Sequence, residues 1–141
     1  MPITDPATRP ISAIDAIDAA SAKMLRLAGV TTTAQLLERG ATKTARLQLA
    51  SDTGIGLQLI IDWVHRADLM RVPGVDGGAA DVLRRAEVAS VVDLARADAA
   101  RLYARCSVVC RREEVPWPEP GRDAVVAWVA HAGTLDPIVQ Y

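Results

Sequence analysis

The sequence predicts an all-α protein made of two tandem units of short helices joined by a longer helix. Three observations carry that prediction. The first is an internal repeat. Residues 14–37 align without a gap on residues 72–95, and seven of the 24 pairs are identical: Asp18/Asp76, Ala22/Ala80, Leu25/Leu83, Arg26/Arg84, Ala28/Ala86, Val30/Val88 and Leu36/Leu94. Self-similarity of this kind marks a supersecondary unit used more than once. The second is periodicity: apolar residues recur at three- and four-residue spacing, and no segment sustains a period of two. The third is composition. Alanine supplies 25 of the 141 residues, Val 15, Leu 13 and Ile 8, with no Phe. Small aliphatic side chains favour short helices that approach closely.

The repeat sets the boundaries. Residues 1–13 form an N-terminal extension, 14–71 the first unit, 72–135 the second and 136–141 a C-terminal tail. Ile60-Ile61-Asp62-Trp63-Val64 aligns on Val125-Val126-Ala127-Trp128-Val129, where the offset has grown from 58 to 65 residues. The extra residues fall in Glu113 to Gly121 (113–121). Pro116, Pro118 and Pro120 there cannot continue a helix, so a non-helical surface connection is expected.

In the first unit, Ala22, Leu25 and Ala28/Gly29 share one face of a short helix. Thr32-Thr33-Ala34-Gln35 has capping-box form and opens the next, and Gly40 is placed to stop it. A third runs from Thr42 to Ser51, with Ala45, Leu47 and Leu49 facing inward. Leu57 to Arg71 is the longest, on the rhythm Leu57, Ile60, Ile61, Val64, Asp68/Leu69. In the second unit helices are expected at about Gly78–Ala86, Ser90–Arg96, Asp98–Arg111 and Arg122–Ala132. Trp63 and Trp128 recur in equivalent places and are expected in the core. Trp117 lies in the insertion, either exposed or clamping the loop to the body.

Several function classes are disfavoured. Sixteen basic against seventeen acidic side chains give a net charge of -1, which excludes a strongly basic nucleic-acid surface as a global property. Cys106 and Cys110 are too few for a disulfide framework. Met1-Pro2-Ile3-Thr4-Asp5-Pro6 has no basic stretch followed by an apolar one, so no signal peptide is read. The uncharged run Ala124 to Leu135 is too short to span a bilayer. A soluble, cytoplasmic protein without a membrane partner is expected. No Gly-Lys-Ser/Thr, Gly-x-Ser-x-Gly or His-Glu-x-x-His occurs, so neither an enzyme nor a cofactor is expected. A zinc site from Cys106, Cys110, His65 and His131 would need unusual ligand spacing, and no metal site is expected.

The turns carry the chemistry that remains. Val72-Pro73-Gly74-Val75-Asp76-Gly77-Gly78-Ala79-Ala80 reads as a helix-hairpin-helix turn. A Gly supplies backbone freedom, a central Val packs between two helices, and the next helix opens with free amides that can face an anion. Thr53-Gly54-Ile55-Gly56-Leu57 has the same form. Ala16-Ile17-Asp18-Ala19-Ala20 is the glycine-free counterpart. The doubled unit, with its Trp-Val helix leading into Ala-Asp-Leu and the Pro-Gly-Val hairpin, resembles an uncharacterised bacterial family, "domain of unknown function 4332". The resemblance spans about residues 14–135. It extends to helix-hairpin-helix modules more widely, which implies sequence-independent DNA binding through hairpin amides and a nearby Lys or Arg.

The candidate nucleic-acid residues are then Gly54, Ile55 and Gly56, Gly74, Gly77 and Gly78, the pair Arg84 and Arg85, and the face Arg101, Arg105 and Arg112. The chain departs from the binding pattern at two places. Asp18 and Asp76 stand where the second hairpin Gly belongs, and Ala20, Gln58 and Gly78 stand where a basic residue belongs. An Asp there is a favoured N-cap that would fill the phosphate position. Glu113 and Glu114 blunt the basic run. The leading expectation is therefore a non-enzymatic interaction module that binds a protein partner or itself. Weak nucleic-acid binding is the alternative.

Overall fold

The computed structural model describes residues 8–140. Among them are eight α-helices, one 3-10 turn at Ile11–Ala13 and no β-strand, so the fold is all-α. The helices are α1 (Ala19–Leu27), α2 (Thr33–Gly40), α3 (Lys43–Thr53), α4 (Leu57–Leu69), α5 (Gly77–Arg85), α6 (Val91–Arg96), α7 (Ala99–Arg112) and α8 (Arg122–Ala132). The reading of the first six residues as lacking a signal peptide lies outside the described residues.

Short polar side chains start six of these helices. Asp18 accepts from the Ser21 amide at 2.6 Å and Asp76 from the Ala79 amide at 2.8 Å. Thr32 and Gln35 form the reciprocal capping box of α2. Thr42, Ser90 and Asp98 cap α3, α6 and α7. Each such cap satisfies an amide that the helix itself leaves without an acceptor. Helices α4 and α8 start instead at Gly56 and Gly121, with no side-chain cap.

Helices α1 and α5 end alike. Gly29 takes φ +88° and Glu87 φ +70°. The following amides, Val30 and Val88, donate back to Leu25 and Leu83 at 2.9 Å. This is the left-handed closure that satisfies terminal carbonyls. Both valines are buried. In packing, α2 lies on α4 and α6 on α8, α3 on α4 and α7 on α8, while α4 also meets α5. Trp63 and Trp128 are both buried. Helix α4 is enclosed over its last two turns: Trp63, Val64, His65, Ala67, Asp68 and Leu69 are all buried.

The structure corrects three local expectations. Gly40 does not stop α2 from outside but is its last residue, and a Cβ there would collide with the Val64 side chain. Its role is to let α2 close on α4. Leu47 does not face inward: it is 57% exposed, and Arg46 is buried in its place. Arg46 stays inside because its guanidinium donates to the carbonyls of Gly40 at 2.8 Å and Gln140 at 2.6 Å. The predicted Leu57–Arg71 helix ends at Leu69. Ile11 of the extension and Val139 and Gln140 of the tail also pack on the body. Ile11 is fully buried, with its amide on the Thr31 carbonyl at 3.0 Å. Gln140 donates to the Ala41 carbonyl at 2.7 Å, and Val139 is buried beside it.

Candidate functional site

The hairpin before α5 is held from three sides. Gly74 sits at φ +87°, a conformation that favours Gly, and Val75 closes the turn on the Val72 carbonyl at 3.0 Å. The Asp76 carboxylate then occupies the first turn of α5. A Cβ at Gly77 would strike the Ala13 carbonyl, and one at Gly78 would meet the Trp117 ring at 2.9 Å. These two glycines therefore serve close packing of the extension and the insertion.

The insertion 113–121 is non-helical and largely exposed. Trp117 clamps it. Its indole Nε1 donates to Asp81 Oδ2 at 2.8 Å while its ring covers Gly78. Glu113 pairs with Arg85 at 2.9 Å, and Ser107 Oγ donates to Glu119.

Asp81 lies at the centre of an ionic network. It accepts from Arg66 Nη1 at 2.8 Å, Arg85 Nε at 3.0 Å and Trp117. Arg66 also binds Asp62 at 2.8 Å, and Arg84 reaches Asp62 at 2.9 Å. Burial alone would raise the Asp81 pKa, but the Arg66 hydrogen bond, the Trp117 indole and Arg85 outweigh it and hold it below the ordinary value. Burial likewise acts to lower the Arg85 pKa, and Asp81 and Glu113 reverse that. Arg84 and Arg85, which read in the sequence as a small basic pair, are thus matched internally by Asp62, Asp81 and Glu113. Asp62, Arg66 and Asp81 were not singled out from the sequence. The four-residue spacings Asp62–Arg66 and Asp81–Arg85 are the signal that was available.

A second acid works between elements. Asp68, 1% exposed, accepts from Arg71 at 2.8 Å and from the Val91 amide of α6 at 2.9 Å. Arg71 continues to the Asp136 carbonyl at 2.7 Å.

The Gly54–Gly56 hairpin is different. Gly54 closes α3 at φ +72°, Ile55 is buried and Gly56 starts α4 without a side-chain cap. The nearest acid on α3, Asp52, is held by Arg39 at 3.3 Å and Gln48 at 2.8 Å. Arg101, Arg105 and Arg112 are exposed on α7 and form no ion pair among the described residues. The structure does not gather the candidates into one site: Gly74 and Gly78 line two cavities, neither of which holds a candidate arginine from α5 or α7. It does bring Arg85 and Arg105 to one groove of about 320 Å³ between α5 and α7.

Burial pushes the Cys106 thiol up to about 11 and also raises Cys110, which suits packing and not thiolate chemistry. Among the described residues no group of three or more His, Cys, Asp or Glu side chains is arranged to hold a metal ion. No described helix is long and apolar enough to cross a membrane.

Comparison with curated proteins and with solved structures finds no match to either. The profile of one family, described as "Domain of unknown function (DUF4332)", matches residues 15–135. That span runs from the first hairpin through the end of α8, and with it the chain belongs to the DUF4332 family.

Proposed function

We propose that the chain is a non-enzymatic, cytoplasmic interaction module of the helix-hairpin-helix type, which binds a protein partner or a second copy of itself. The observation that supports this reading most is the filling of the hairpins' anion position from within. The Asp18 and Asp76 carboxylates bond the first-turn amides of α1 and α5, where a phosphate would otherwise sit. The adjacent bases point the same way, since Arg84 and Arg85 are already matched by acids. Exposed apolar side chains such as Leu27 and Val108 supply surface for a protein contact.

One observation favours weak, sequence-independent nucleic-acid binding as a second reading: the uncapped start of α4 at Gly56. Titration of a labelled DNA duplex at about 50 and 200 mM salt separates the two. Poor binding with a shallow salt dependence is expected. Micromolar or tighter binding with a steep salt slope overturns the module reading.

A further inference from the structure

We infer that the groove between α5 and α7 receives an acidic amphipathic peptide segment of a protein partner, an inference that rests on the module reading and names the chemistry of the partner. The groove, about 320 Å³, has a floor of Ala104, Val108 and Val109. Val108 is 49% exposed, although it stands in the middle of a helix. Arg105 lines the groove as well, and Arg101 and Arg112 stand on the same helix, α7. At 100° per residue these four positions fall within about 60° of one another, on a stripe roughly 16 Å long. The three arginines form no ion pair among the described residues, in contrast to Arg84 and Arg85.

Charge complementarity fixes the occupant. An apolar floor takes apolar side chains, and a row of arginines beside it takes carboxylates, which it can bind in bidentate fashion. A peptide with one apolar and one acidic stripe supplies both. A nucleic-acid duplex keeps its base faces stacked inside and presents mainly phosphates, so it offers this floor little apolar surface. The opposite rim carries Glu87, which repels a ligand charged on every side. Arg85 stands on the same rim but is already paired with Asp81 and Glu113, so the positive charge left for the partner's acids is on the α7 side. Glu87 also holds φ +70°, at the position where the first unit has Gly29. A side chain is disfavoured on a left-handed backbone, and here it places a carboxylate on the groove rim.

The test is fluorescence anisotropy with a labelled helical peptide carrying a Leu stripe beside a Glu stripe. The controls are the same peptide with Lys for Glu, and a DNA duplex as competitor. Arg105→Glu and Val108→Asp alter exposed positions, and circular dichroism checks that both variants fold. Val126→Asp, on exposed α8 surface, is the control substitution. The Glu peptide is expected to bind, the Lys peptide not to, and each groove variant to weaken binding at least tenfold while Val126→Asp does not. Equal binding of both peptides, no binding of the Glu peptide, or indifference to Arg105→Glu and Val108→Asp overturns the inference. If self-association survives Val108→Asp while the peptide fails to bind, the groove assignment falls and the module reading stands. A duplex that binds tightly and loses affinity with Arg105→Glu overturns both.

Discussion

Helices α1 and α5 begin at aspartate caps 58 residues apart and end in left-handed turns 58 residues apart, yet their outer faces have different fates. On α1, Met24 is 39% and Leu27 73% exposed, whereas Val82, the counterpart of Met24 on α5, is fully buried. The counterpart of Lys23 is Asp81, and that of Leu27 is Arg85. In the second half Asp81 draws in Arg66, Arg85 and Trp117, and the insertion closes over the helix start. Gly54-Ile55-Gly56 stands where the first half would need such an insertion, and nothing of that length exists there. The lesson is that caps and closing turns set where a helix starts and stops, while remote partners decide which face it hides.

The comparison breaks most sharply at Asp81. Replacing it with Ala leaves Arg66 with Asp62 alone and removes the acceptor of the Trp117 indole. A half-buried charge left short of partners costs about 3 kcal/mol. Lys23→Ala, at the matching position of α1, should change stability by less than about 0.5 kcal/mol. Urea unfolding of both variants measures the contrast, and equal losses would show that the network does not distinguish the halves. Trp117 fluorescence should shift with Asp81→Ala as the loop comes free.

The next largest contrast is at the helix starts. Gly77 and Gly78 correspond to Ala19 and Ala20. Because a Cβ at Gly77 meets a backbone carbonyl, which cannot rotate aside, Gly77→Ala should cost about 2 kcal/mol. Ala19→Gly should cost under about 1 kcal/mol, the ordinary entropic difference. Thermal unfolding that ranks the two the other way would refute the packing role assigned to Gly77.

These pairs also show what the sequence could and could not disclose. The capping box at Thr32/Gln35 and the aspartate caps were legible because a cap is a local bond, three residues long. The insertion was legible because three prolines in one short stretch forbid a helix. Leu47 was misread because Arg46 takes the inner position, and a bond that holds Arg46 there goes to Gln140, 94 residues away. The burial of Ile11 depends on Thr31, and the Trp117 clamp on Asp81, 36 residues distant. No pattern within one helix encodes those meetings. As for the candidate site, the sequence offers the glycine turns and the α7 arginines as candidates. It could not tell that Arg84 is spoken for, because Asp62 reaches it from another helix, whereas the four-residue spacing of Asp81 and Arg85 did carry a signal.

Smaller effects test the caps. Asp76→Ala should cost about 1 kcal/mol and Asp76→Gly only a few tenths. Helix α4 offers the converse, since a Cβ at Gly56 meets nothing within 4 Å and its backbone is extended enough for a cap. Gly56→Asp should therefore gain a few tenths of a kcal/mol. Chemical denaturation of the three variants checks the order, and a loss of stability in Gly56→Asp would mean that the α4 start is constrained in some other way.

The last contrast separates the two Trp-bearing helices by pH. His65 on α4 is buried, whereas its counterpart on α8, Ala130, is exposed. Burial lowers the His65 pKa from 6.5, and the nearby Arg84 and Arg46 lower it further against the opposing pull of Asp68 and Asp62. The folded pKa thus lies below the unfolded one. Above pH 6.5 neither state holds the proton and the residue has no effect on the balance. As pH falls through 6.5 the unfolded chain takes a proton that the folded chain resists, so stability declines toward acid, by at most about 1.4 kcal/mol per pH unit. Asp81 acts in another window: its folded pKa is held below 3.8, so its contribution is full above that value and fades only under it. Unfolding free energies between pH 7 and about 5 therefore isolate the histidine from Asp81. His65→Gln should flatten the decline over that range, and an unchanged slope would place its origin elsewhere than on α4.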